Sequence, residues 1–188
     1  MLRSYIILIS LITSAVNLHS QSFDSLTSKV FFNVDIDKPN EILISDFTAK
    51  PELNAVKLTG WTMYPPTDDK GNFIPFFIYS FSQHPYFLHG IKKGRLTLLT
   101  NKDSAHVIGM SLAISFDSKT AFDTTYQHIK KLYGKYSLKS IRRPNILEPI
   151  VITKFISRNK PNYVIITRDE DTEGFYIGID YNYQGYEW

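Results

Sequence analysis

The sequence predicts an α+β fold, an antiparallel sheet with two main helices packed on one face. Three observations carry that expectation. The segment AFDTTYQHIKKLYGKYS (121–137) has the apolar period of a helix. Strand-like apolar runs in both halves are joined by short turns, which suit antiparallel pairing. Finally, a helix followed by a meander of strands comes up twice, which suggests a structural duplication, although no residue-level repeat accompanies it. The alternative architecture is a β-sandwich or barrel with the helices as lids.

The N-terminus comes first. MLRSYIILISLITSAVNLHSQS carries one basic residue, Arg3, ahead of an apolar run from Tyr5 to Val16 interrupted only by Ser and Thr. A run of that length is too short for a hydrocarbon core that needs ~20 residues. A basic start, a short apolar middle and a small-residue exit describe a secretory signal peptide over residues 1–20. Cleavage is expected after Ser20, or alternatively after Ala15, leaving residues 21–188 as a single α+β domain. Loss of Arg3 leaves 20 basic side chains against 18 acidic ones, too small a surplus to steer a polyanion. The chain contains no cysteine, which excludes disulfides, thiolate nucleophiles and sulfur-ligated zinc. It has no Asn-x-Ser/Thr sequon either, which together with export suits a bacterial periplasm or exterior.

After a polar lead-in, Val30–Ile36 alternates like a short strand. Asp37 and Pro39 then suit the start of a helix running from Lys38 to about Thr48. VKLTGWTMY (56–64) and FIPFFIYSF (73–81) read as strands around a loop dense in turn formers, PPTDDKGN (65–72). Pro75 has no N–H for a ladder, so the second of these strands belongs at an edge or a bulge. SQHPYFLHGIKKG (82–94) reads as a long loop. RLTLLT (95–100) and HVIGMSLAISF (106–116) form a hairpin across NKDSA. In the next helix, Phe122, Tyr126, Ile129 and Tyr133 make the buried face, Thr120 with Asp123 forms a capping box, and Gly134 supplies the stop. LEPIVITKFIS (147–157), NYVIITR (162–168) and GFYIGIDYN (174–182) complete the strands.

No nucleophile elbow, HExxH helix, phosphate loop or dinucleotide fingerprint occurs. The expected function is therefore that of an exported, non-enzymatic binding or interaction protein without a cofactor. Its partner would be a protein, a glycan or a cell-envelope component. Alternatives are a small extracytoplasmic hydrolase, or a protein inhibitor presenting the 65–72 and 82–94 loops. The basic residues Lys119, Lys130, Lys131, Lys135, Lys139, Arg142 and Arg143 accompany no nucleic-acid module, so they read as a solvated surface. The partner-binding candidates are His84, Tyr86, Phe87 and His89, because functional loops display such residues on rigid scaffolds. Asp169, Asp171 and Glu173, with Gly174 and Asp180, trace the outline of a calcium loop. Their strand-like flanks favour a charged hairpin turn instead.

Overall fold

The computed structural model of the chain describes residues 22–36, 41–56, 67–68, 70–87, 90–103, 105–144, 149–156, 163–171 and 174–182. The expected signal segment (1–20), the 57–66 stretch and His89 lie outside the described residues. Helix α1 (Phe23–Val30) begins at Ser22, whose side chain accepts the Ser25 N–H at 3.0 Å. Asp24 in its first turn and Lys29 in its last complement the helix dipole. Phe23, Leu26, Thr27 and Val30 form its buried face. The segment expected as a polar lead-in is thus a helix, one whose narrow apolar stripe gives little local signal.

The expected strand at Val30–Ile36 is instead a turn. Phe32 and Asn33 both take the left-handed conformation (φ 58°), and the Asn33 N–H returns to the Ser28 carbonyl at 2.8 Å. The expected helix from Lys38 to Thr48 shrinks to one turn, α2 (Ser45–Thr48), with residues 37–40 outside the described set. Its β-branched predecessors make rungs to a distant segment. The Val107 N–H donates to the Ile42 carbonyl at 2.9 Å, and the Ile44 N–H to the Ala105 carbonyl at 3.1 Å. Tertiary hydrogen bonds have overridden local helix tendency.

The strands are β1 (Asn54–Ala55), β2 (Phe76–Phe81), β3 (Ile91–Thr100) and β4 (Val107–Phe116). Helix α3 (Lys119–Tyr133) and a 3₁₀ turn (Gly134–Tyr136) follow. Then come β5 (Ser137–Pro144), β6 (Pro149–Ile156), β7 (Tyr163–Asp171) and β8 (Gly174–Tyr181). They build one antiparallel sheet in the order β1-β2-β3-β4-β8-β7-β6-β5. The fold is thus α+β, with an antiparallel sheet and three helices. Pro75 falls just before β2, next to the short edge strand β1, as a residue without a donor should. The loop read over 82–94 is shorter than expected, since Ile91 already pairs with Phe116.

Helix α3 keeps its expected buried face of Phe122, Tyr126, Ile129 and Tyr133, with Lys130 and Lys131 exposed. Both of its ends differ from expectation. Ser118, and not Thr120, is the N-cap, accepting the Ala121 N–H at 3.3 Å. Gly134 stays right-handed (φ −55°) and leads into the 3₁₀ turn, so it is not a left-handed stop. Asp123 is engaged by Arg168 at 2.9 Å and by Lys119 at 3.3 Å. None of the described helices is long and apolar enough to cross a membrane.

Strict alternation sorts the strands into two faces. Tyr79, Phe81, Leu96, Leu98, Met110, Leu112, Ile114, Phe116, Val164, Ile166, Ile177, Ile179 and Tyr181 point inward. They share one buried cluster with Phe23, Leu26 and Val30 of α1 and with the apolar face of α3. Gly94 is part of that inner face because it lies opposite Phe81, whose ring occupies the space a side chain would need. Gly94→Val should therefore destabilise by about 1–3 kcal/mol through overpacking. Urea denaturation checks this, and an unchanged midpoint would show that the ring moves aside without cost.

Candidate functional site

Of the four candidate binding residues, the structure places two in the core. His84 and Phe87 are each only 4% exposed, Tyr86 is half-buried, and His89 lies outside the described residues. The reason is a hydrogen-bond set that a sequence does not display. The backbone N–H groups of Tyr86 and Phe87 donate to His84 Nδ1 at 3.1 and 3.2 Å. Nδ1 is therefore the acceptor and Nε2 carries the proton, which is donated to the Val30 carbonyl at 2.9 Å. Val30 ends α1, and carbonyls of a last helical turn lack partners within the helix. The rings of Phe32, Phe81 and Phe87 surround the imidazole at centroid distances of 4.5, 5.7 and 4.6 Å. Burial lowers its pKa to about 4, against the opposing pull of the Val30 carbonyl. His84 ties the 82–87 segment to α1.

The outer face of the sheet has a different composition. At the β1–β2 end it is apolar. The Val56 N–H donates to the Ile78 carbonyl, Phe76 packs on buried Ile74 and Leu99, and the Phe73 ring meets that of Phe76 at 5.9 Å. Phe73 is 58% exposed and Val56 40%. Toward the centre the register sets Ile78 beside Thr97, Thr97 beside Ser111, Ser111 beside Asp180, and Asp180 beside Ile165. A row of hydroxyls thus leads from the apolar end to a carboxylate.

Asp180 is the unusual member, only 7% exposed on the face away from the main core. Burial pushes its carboxyl up to about 6, although a hydrogen bond from Ser111 pulls the other way. Nearby, burial and then the Asp180 charge push the Tyr163 phenol up. Sequence reading noticed Asp180 only as the last position of a calcium outline, and passed over Ser111, Thr97, Val56 and Phe73. A usable signal existed in HVIGMSLAISF, where Ser111 alternates with Met110 and Leu112 and so must face away from them.

The acidic segment forms the β7–β8 hairpin, with Asp169 opposite Tyr176 and Asp171 opposite Gly174. Strands flank it on both sides, and Asp180 is carried along β8 to lie opposite Ile165. Glu173 lies outside the described residues. Among the described residues, no three His, Asp or Glu side chains gather as a metal site. An open cleft of about 480 Å³ also lies between the turn after α1 and α2, with Asp35, Glu41, Asp46 and Lys50 on its walls. Asp46 accepts the Leu43 N–H at 2.8 Å, a local turn contact. Comparison with protein-family models, with curated proteins and with solved structures found no match.

Asp180 generates a pH prediction. Its folded-state pKa is raised, so its contribution to stability is full below about pH 4 and is lost as pH rises through about 6. Asp180→Asn removes that dependence. Its stability relative to the parent chain should rise by roughly 3 kcal/mol from pH 4 to pH 8, most of it before pH 7. Chemical denaturation of both proteins across that range measures the difference, and a constant difference would mean that Asp180 titrates normally.

Proposed function

We propose that the chain is an exported, non-enzymatic binding protein whose outer sheet face meets its partner, a protein, a glycan or a component of the cell envelope. In this reading α1 and α3 both lie over the inner face, and the two helix-plus-meander runs are copies of one unit. The outer face is then left for recognition. The observation that carries the reading is the exposure of Phe73 and Val56 beside Phe76 and Ile78, continuous with the hydroxyl row. Contiguous exposed apolar groups rimmed by polar ones mark interaction surfaces.

A hydrolytic reading has less support from the same geometry. His84 belongs to the cluster under α1, whereas Asp180 belongs to the outer face. These two buried groups, the imidazole lowered to about 4 and the carboxyl raised to about 6, therefore do not converge on one substrate atom.

A photo-cross-linking amino acid placed at position 73 should give adducts in cells, whereas one at exposed Lys131 on α3 should give none. Adducts from 131 without any from 73 would overturn the assignment of the face. Phe73→Asp should abolish the adducts formed from position 56 while leaving stability within about 0.5 kcal/mol. Export has its own readout. The mature protein should begin at Gln21, and a chain recovered with Met1 intact would refute the signal peptide.

A further inference from the structure

We propose that His84 is an acid-sensitive latch, whose protonation releases the 82–87 segment from the end of α1 and uncovers the aromatic cluster of Phe32, Phe81 and Phe87. The argument is geometric. Nδ1 is the shared acceptor for two backbone N–H groups, and Nε2–H is bound to a carbonyl. The one place for an added proton is Nδ1, where it would point at two other protons. Those two hydrogen bonds must then break together. The resulting imidazolium would be held among three aromatic rings with a single carbonyl acceptor, a costly place for a charge. Opening toward water relieves both conditions.

The surroundings offer the charged form little compensation. From α1 it meets the Val30 carbonyl, and from the following turn the Phe32 ring. From β2 it meets Phe81, and from its own segment Phe87 and the Tyr86 N–H. Among the described residues, the titratable groups on the elements around it include tyrosines and another histidine. Tyr86 packs against Phe87 and against His128 of α3 at 5.6 Å, and Tyr133 bonds to Thr27 on α1. No carboxylate figures among these contacts. The backbone next to the latch is already held in a left-handed conformation at Phe32 and Asn33, and the His84 contact closes over that turn.

The linkage fixes the size of the effect. An opened His84 regains the ordinary value near 6.5, whereas the closed one titrates at about 4. The opening equilibrium should therefore rise about tenfold for each pH unit between those limits. The test is amide hydrogen exchange on the purified mature chain from pH 7 to pH 4, corrected for intrinsic rates, with the His84 ring followed by NMR. The Tyr86 and Phe87 amides should lose about tenfold protection per unit, and should exchange faster throughout than Leu112 and Ile179 in the central strands. His84→Asn supplies an acceptor near the Nδ1 position without a titrating proton, and its loop protection should not change with pH. Identical rates at Tyr86, Phe87, Leu112 and Ile179 would show only global opening and overturn the latch. So would pH-dependent loop protection in His84→Asn. If that variant fails to fold, the parent chain decides. A loss of Tyr86 and Phe87 protection that sets in below about pH 6.5 and continues toward pH 4 supports the latch, and protection independent of pH refutes it.

Discussion

The pairing of β4 with β8 is the contact on which the sheet depends. Each of these strands ends one of the two four-stranded runs, and their pairing joins β1–β4 to β5–β8. With no cysteine in the chain, no disulfide reinforces that seam. Packing holds it: Leu112 lies beside Ile179 and Ile114 beside Ile177, all fully buried on the inner face. Helix α3 seals the join from above, with Phe122 against Phe116 at 6.0 Å and against Phe175 at 5.6 Å. Arg168 of β7 adds a clamp, stacking over Phe122 and Tyr126 while its guanidinium holds Asp123. A one-residue slip along this seam would turn a whole strand over, moving Asp180 into the apolar interior and Ile179 into the outer row. The register that builds the core is thus the one that assembles the candidate surface.

What the sequence displayed and what it concealed divide along physical lines. The α3 face and the β3–β4 hairpin were legible because their apolar spacing is long and regular. Both ends of α3 were misread, since Ser118, Thr120, Gly134 and the acid Asp123 all offer acceptable local chemistry. Only tertiary contact decides among them, as the Arg168 pair does for Asp123. Helix α1 was missed for the opposite reason, a stripe of few apolar residues whose helicity depends on packing against Tyr133 and Tyr136. Strand β5 was read as basic surface because SLKSIRRP has little apolar alternation, yet it pairs along β6 from Ser137 to Pro144. The loop histidine posed a harder problem. Polar residue types near Pro suggest exposure, and nothing local reveals that Val30, fifty-four positions earlier, presents an unpaired helical carbonyl.

The buried groups His84 and Asp180 act on stability in opposite directions. Below pH 6.5 the unfolded chain takes up a proton at His84 that the folded chain resists, so acid weakens the fold through this residue. Between about pH 4 and 6 the folded chain keeps a proton at Asp180 that the unfolded chain has released, so acid strengthens the fold through that one. Each contribution is roughly 3 kcal/mol over its own window, and the windows overlap. Their slopes therefore nearly cancel in global stability, although the groups sit on different faces and share no contact. Locally nothing cancels. Asp180 sits in the β4–β8–β7 register on the outer face, and its protonation cannot restore the two hydrogen bonds that His84 loses. Mild acid is then expected to leave the sheet standing while loosening the junction of α1 with the 82–87 segment, a separation of local from global stability that follows from where the two groups are buried.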